Sequence, residues 1–330
     1  MALGLIVSFA ACTPEPTAPP VLPTSSASAI FAADFDGDGN DEIATVADGA
    51  LHWMDNEFTL RGSVAAHASV DLDTDGSEEL VLALRRSRTH PEADPQLLVV
   101  NAVSTQAHAA PKDGRYRITD LSVHGNRLFV TILGSSKDAV GGWWTPTSFE
   151  AITASTMGMS QQVVTDETIA VGRIYGDAPK SNGRLELHSG STVRVLPGRR
   201  GVRTLATADI NRDGHSDIVA ADGWHFKYGE HAEARLSVYL GPDFSDYRMI
   251  GTIDGDYTIN RIDAVPTVPP TIVATGTSKV VAFTLDEMGW TPIIIGTTKE
   301  GARATVVTTH TKHWLALPGE AAEIRQLPSF

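Results

Sequence analysis

Cysteine is almost missing from this sequence. The one thiol among 330 residues is Cys12, so the chain cannot close an internal disulfide, and its stability must come from burial or bound ions. Positive charge is scarce as well. The 26 Lys and Arg stand against 40 Asp and Glu, and a net charge of −14 argues against nucleic acid binding. No apolar run approaches the ~20 residues of a membrane-spanning helix. Helix-period apolar patterns are rare, while glycine (29) and proline (18) are frequent, so the chain reads as all-β. There is no Gly-x-Ser-x-Gly elbow, phosphate loop or dinucleotide fingerprint, and an enzyme is not expected.

What the sequence does have is acid in a pattern. Asp34-Phe-Asp36-Gly-Asp38-Gly-Asn40-Asp-Glu42-Ile43 is followed by an apolar run. The pattern returns as Asp71-Leu-Asp73-Thr-Asp75-Gly-Ser77-Glu-Glu79-Leu80 and as Asp209-Ile-Asn211-Arg-Asp213-Gly-His215-Ser-Asp217-Ile218. Alternate side chains of an extended loop point to one side, so the acids at positions 1, 3 and 5 can converge. Gathered carboxylates repel one another unless a cation sits among them, and many oxygens on a flexible loop suit Ca²⁺. Glycine at position 6 permits the turn. An EF-hand begins in the same way, but it needs an acid at position 12, where this chain has Thr45, Leu82 and Ala220. Here the acid stands at position 9, and the residues after it are strand-like.

These loops resemble the calcium loops of FG-GAP/VCBS repeats, as in the integrin α-subunit head. The resemblance implies a β-propeller with structural Ca²⁺ in about three loops. It also implies that positions 1, 3, 5 and 9 supply side-chain oxygens and position 7 its backbone carbonyl. The implied ligand residues are Asp34, Asp36, Asp38, Asn40 and Glu42; Asp71, Asp73, Asp75, Ser77 and Glu79; and Asp209, Asn211, Asp213, His215 and Asp217. Two loops carry Glu at position 9 where the family favours Asp.

Periodicity extends the repeat beyond the three motifs. Strand-turn-strand patterns without the acids lie near residues 120, 164, 262 and 306. With 34, 71 and 209 they form a series spaced by about 45 residues, the length of a four-stranded blade. Seven four-stranded antiparallel blades are expected over residues 29–330, with six as the main alternative. A second similarity supports whole blades. Tyr175-Gly176-Asp177 precedes Arg184-Leu185, and Tyr228-Gly229-Glu230 precedes Arg235-Leu236.

The N-terminus reads differently. An apolar run from Ala2 to Phe9 and then Ala10-Ala11-Cys12 resembles a bacterial lipoprotein signal, although it holds no Lys or Arg and has Phe9 where Leu is usual. The implied arrangement is a signal peptide at 1–11, a lipidated Cys12, and a proline-rich tether at 12–28. That places the chain on the bacterial cell envelope, expected at the outer membrane and held only by a lipid anchor; otherwise it is secreted.

Other chemistry is weaker. His310 with His313, and His225 with His231, are the nearest histidine pairs, and turn positions give their spacing no coordinating geometry. Trp143 and Trp144, with Trp224, His225 and Tyr228, are aromatic stretches in expected loops and candidate contacts for a sugar or protein. The reading is a monomeric module that binds a protein or glycan. A polysaccharide lyase or hydrolase on a propeller scaffold is the alternative, favoured by an Arg, Lys, His or Tyr cluster in the central channel. A purely structural envelope protein is the third.

Overall fold

The structure is a computed structural model. It describes residues 19–327 apart from 25, 87–93, 95, 112–115, 135–138, 156–158, 166–167, 174–183, 198–200, 223–233, 257–258, 266, 268, 287–288, 299–302, 310–311 and 320. The described residues form strands and turns, with no helix.

Seven antiparallel sheets follow one another along the chain. Blade 1 is β1 (Ala29–Ala33), β2 (Glu42–Ala47), β3 (Ala50–Trp53) and β4 (Asn56–Thr59). Blade 2 is β5 (Ser63–Val70), β6 (Glu79–Arg85), β7 (Gln96–Val100) and β8 (Thr105–Ala109). Blade 3 is β9 (Tyr116–His124), β10 (Arg127–Gly134), β11 (Ala139–Thr145) and β12 (Ser148–Ser155). Blade 4 is β13 (Met159–Val164), β14 (Ile169–Arg173), β15 (Leu185–Ser189) and β16 (Thr192–Val195). Blade 5 is β17 (Val202–Ala208), β18 (Asp217–Asp222), β19 (Arg235–Leu240) and β20 (Asp246–Thr252). Blade 6 is β21 (Arg261–Val265), β22 (Thr271–Thr275), β23 (Lys279–Asp286) and β24 (Gly289–Thr297). Blade 7 has three strands, β25 (Thr305–Thr308), β26 (His313–Leu317) and β27 (Glu323–Gln326). The protein is a seven-bladed β-propeller. The first strand of each blade neighbours the first strands on either side, so β1, β5, β9, β13, β17, β21 and β25 ring a central channel.

The second strand of each blade shows why this sequence makes propellers. In β6, Leu80, Leu82 and Leu84 pack against blade 1, while Val81 and Ala83 pack against blade 3. Successive side chains leave a strand on opposite faces, so a sheet buried on both faces needs a continuous apolar run. That is the run following each acidic loop. Each of the seven pairs of neighbouring blades shares its own buried cluster.

Among the described residues, the ring closes between blades 1 and 7 without a shared strand. Ile30 and Ile43 pack against Val307, Trp314 and Ala316. Thr305 Oγ1 donates to the Ile30 carbonyl at 2.7 Å. Asp41 N donates to the Thr308 carbonyl at 2.7 Å, and Thr308 N donates to the Asp41 carboxylate at 2.5 Å. The end of the proline-rich segment also belongs to this closure. Ala27 is buried and its N–H donates to the Gly319 carbonyl at 2.9 Å, and Leu22 packs on the same cluster. The propeller therefore takes in residues that the sequence placed in the tether.

The unacidic blades sit where the period put them, with shifts of a few residues. Positions 120, 262 and 306 fall inside β9, β21 and β25, and 164 is the last residue of β13. The two Tyr-Gly-acid segments lie outside the described residues, between the second and third strands of blades 4 and 5.

Blade 4 holds one buried charge. Glu186 is 1% exposed, and its carboxylate meets Arg173 at 2.9 Å, Arg184 at 2.6 Å and His188 at 3.0 Å. The Arg173 contact is an ion pair without hydrogen-bond alignment. Burial pushes the Glu186 carboxyl up, but the bonds from His188 and Arg184 and the charge of Arg173 outweigh it and bring it to about 2. A depressed carboxyl stabilises the fold above its ordinary pKa, and that stabilisation is lost as pH falls through about 2. Glu186→Gln leaves two arginines gathered around a neutral group. It is expected to lower unfolding free energy at pH 7 by about 3 kcal/mol in urea titrations, with the gap to wild type narrowing below pH 4.

Candidate metal centre

Each acidic loop joins the first strand of its blade to the second, in blades 1, 2 and 5. The three share one hydrogen-bond scheme. The position-9 acid reaches back to the N–H of position 2: Glu42 to Phe35 at 2.9 Å, Glu79 to Leu72 at 2.8 Å, Asp217 to Ile210 at 2.7 Å. The position-1 carboxylate accepts from the glycine at position 6: Asp34 from Gly39 at 2.8 Å, Asp71 from Gly76 at 3.2 Å, Asp209 from Gly214 at 2.9 Å. The position-3 side chain accepts from the N–H of position 5: Asp36 from Asp38, Asp73 from Asp75 and Asn211 from Asp213. The position-5 carboxylate accepts from that of position 7: Asp38 from Asn40, Asp75 from Ser77 and Asp213 from His215. Glutamate and aspartate thus reach the same donor at position 9.

Position 6 glycines have φ of 84° (Gly39), 98° (Gly76) and 86° (Gly214). Position 4 is left-handed too, with Gly37 at 73°, Thr74 at 65° and Arg212 at 61°. A β-branched residue such as Thr74 resists that conformation, so the loop's bonds hold it there.

The carboxylates converge in two of the loops. One oxygen each from Asp34, Asp36 and Glu42 lie within 4.8 Å of one another, as do those of Asp71, Asp73 and Glu79. Asp38 and Asp75 are not in these groups, and Asp38 is occupied with Asn40 through both N–H and Nδ2. Among the described residues no such group forms from Asp209, Asp213 and Asp217. Asp217 is fully buried, and its second oxygen accepts from Gly241 N at 2.7 Å. Asn211 Nδ2 turns toward Asp213 at 2.8 Å, so the third loop replaces one acid–acid repulsion by a bond.

In the first loop, Asp34 Oδ1 is buried and has no hydrogen-bond donor among the described residues. An orphaned carboxylate oxygen inside a three-acid group fits a hard cation with oxygen ligands. Position 8 has a different task, which the sequence did not reveal. Asp41 holds Thr308 of blade 7, and the Glu78 N–H donates to the Asp34 carbonyl of blade 1 at 2.7 Å. These residues clasp the first loop to blade 7 and the second to blade 1.

The other sequence candidates are dispersed. Trp143 and Trp144 lie in β11 and not in a loop. Trp144 is 5% exposed and packs edge-on to His108, while Trp143 meets Phe129 and lies under the Arg127 guanidinium. The preceding glycines are required by close approach, since a Cβ at Gly141 would sit 2.4 Å from the Gln162 side chain of blade 4. Cys12, Trp224, His225, Tyr228, His231 and His310 lie outside the described residues. His313 is in β26, within reach of Thr308 Oγ1 at 3.3 Å.

No protein-family model matches the chain, and no curated protein matches it. Solved structures do. A chain of a nidogen/laminin complex is 11% identical with a TM-score of 0.51, over 82% of this chain and 92% of that one. A chain of a mitotic checkpoint complex is 10% identical with a TM-score of 0.57, over 98% of this chain and 99% of that one. At this identity they show the fold.

Crowding marks these loops electrostatically. Burial first, then the charges of Asp36, Asp38 and Asp34, push Glu42 up to about 7 against the bond from Phe35. Glu79 is raised by burial and by Asp73, Asp75 and Asp71. A carboxyl raised above its unfolded value penalises the fold at high pH, and the penalty is relieved as pH falls through the folded pKa. In chelator, the melting temperature is therefore expected to rise between pH 8 and pH 6. Asp36→Asn removes the largest repulsive charge and should flatten that rise in calorimetry.

Proposed function

We propose that this propeller is a binding module whose acidic loops are held by structural Ca²⁺. The observation that carries the cation is the buried, donor-less Asp34 Oδ1 within the Asp34, Asp36 and Glu42 group. The same group in blade 2 supports a second site at Asp71, Asp73 and Glu79. Asp209, Asn211, Asp213 and Asp217 make a third, weaker one, because Asp217 spends its second oxygen on Gly241. This arrangement supports membership of the FG-GAP/VCBS repeats. Bound Ca²⁺ would neutralise the carboxylates and fix the loops; the loop residues position it and do no chemistry on it.

A binding role is supported by the fold, since both structural neighbours come from protein complexes. The partner is a protein or a glycan that meets a loop face. The N-terminal sequence supports display on a bacterial envelope through lipid on Cys12, with the propeller close to its anchor because Ala27 is already docked.

The test is thermal unfolding in millimolar Ca²⁺, in Mg²⁺ and in chelator. At tenfold excess over Kd each filled site adds about 1.4 kcal/mol, so three sites together add about 4 kcal/mol. The melting temperature should rise with Ca²⁺ and not with Mg²⁺. Asp36→Ala and Asp73→Ala should each remove part of the rise, and Asn211→Ala less. A melting temperature indifferent to Ca²⁺ would sink the cation reading. For the anchor, the mass of Cys12→Ser protein expressed in bacteria should lack a diacylglyceryl modification that the wild type carries.

A further inference from the structure

The central channel holds a cavity of about 830 Å³, within the size range of small-ligand sites. Four arginines line it: Arg117 of blade 3, Arg203 of blade 5, Arg261 of blade 6, and Arg303 just before blade 7. Each stands at or next to the start of a first strand. They occupy the mouth opposite the acidic loops, which follow the ends of those strands. Arg203 is itself the extra residue of a β-bulge, since Val202 pairs with Asp222 and Thr204 with Ala221. A bulge re-aims the side chain it carries.

The cations outnumber the acids that face them. Among the described residues the acids lining the cavity are Asp41, Asp120 and Asp263. Asp263 is bound by Arg261 at 2.7 Å, and Asp41 belongs to the opposite mouth, bonded to Thr308. Asp120 shares the cavity with Arg117, Arg203 and Arg303. Arg261 also reaches across the channel to His67 Nε2 of blade 2. Since the guanidinium can only donate, His67 accepts and is neutral. Burial and the charges of Arg261 and Arg303 hold its pKa well below the ordinary range. Arg303 is exposed to the channel solvent yet walled in by protein. Burial, then the charges of Arg261, Arg203 and Arg85, lower its pKa against the pull of Asp120.

A protein of net charge −14 has thus brought four of its 26 cationic side chains into one cleft. Low-dielectric walls focus such a field, and guanidinium forks match carboxylate and phosphate geometry. We infer that the arginine mouth of the channel is a binding site for a small ligand bearing two or more oxyanion groups, carboxylate or phosphate. Arg117, Arg203 and Arg303 hold the anionic groups, and the Arg261–His67 contact forms part of the floor. The cluster is of the kind that would favour an enzyme, but its arginines stay charged and its His67 is engaged by Arg261, so these groups serve binding. The site is independent of the calcium reading, because no loop ligand lines it.

The experiment is calorimetric titration of the protein at low ionic strength with tricarballylate as the carboxylate probe and fructose 1,6-bisphosphate as the phosphate probe. Sorbitol is the neutral control. One of the two anions is expected to bind with one-to-one stoichiometry, which identifies the class. Arg117→Gln, Arg203→Gln and Arg303→Gln should each weaken it about tenfold or more, with melting temperatures near wild type. Arg325→Gln, at an exposed arginine of β27 outside the channel, should leave the affinity unchanged. Absence of heat with both anions overturns the proposal. So does binding that the three arginine variants leave intact.

Discussion

The structure depends on one constraint: every blade has two apolar faces, and neither can be left in water. A sheet such as blade 2, with Leu82 facing one neighbour and Val81 the other, is stable only between two further sheets. Seven such sheets satisfy this only as a closed ring. The closure between blades 1 and 7 is therefore as necessary as any other interface, yet among the described residues it has no shared strand. It rests on the Ile30, Val307 and Trp314 cluster, on Thr305, and on Asp41. Asp41 is costly in that place. Burial first, then the charges of Glu78 and Asp34, raise its pKa to about 6, although the Thr308 N–H lowers it. The loop that gathers carboxylates is thus also the loop that latches the ring, and whatever relieves the charge in the loop strengthens the latch.

The blade count was legible because propeller physics writes it twice. The D-x-[DN]-x-D-G spacing marks three of the turns, and the two-faced apolar run marks the strand after each. Where only the run survives, the period still places the blade but not the turn. Position 120 lies within β9, and the turn itself is at Gly125, whose φ is 55°. The loop's hydrogen-bond roles were less legible. Position 4 is left-handed in all three loops, and Thr74 and Arg212 adopt that conformation with no glycine to announce it. The acids at position 8 looked like more metal-loop charge, and only the fold shows that Asp41 and the Glu78 backbone bind the preceding blade. The aromatic pair Trp143-Trp144 was ambiguous because its flanking glycines suggest a loop. Those glycines instead permit close packing against Gln162 and the Glu150 backbone.

The arginine cluster was not legible at all, and the reason is topological. Arg117, Arg203, Arg261 and Arg303 are separated by tens of residues, and each alone is one cation at the edge of a strand. Only a ring, in which every first strand begins at the same mouth, makes them neighbours. The same topology puts every acidic loop at the other mouth. A propeller thereby converts a sequence alternating between strand starts and strand ends into a body with two unlike faces. An anion meets repulsion at the loop face and attraction at the arginine face. A cation meets the reverse, so the two candidate sites do not compete for ligands. Calcium in the loops would weaken the negative field at its own mouth and leave the arginine mouth, on the far side of the channel, with its charge intact.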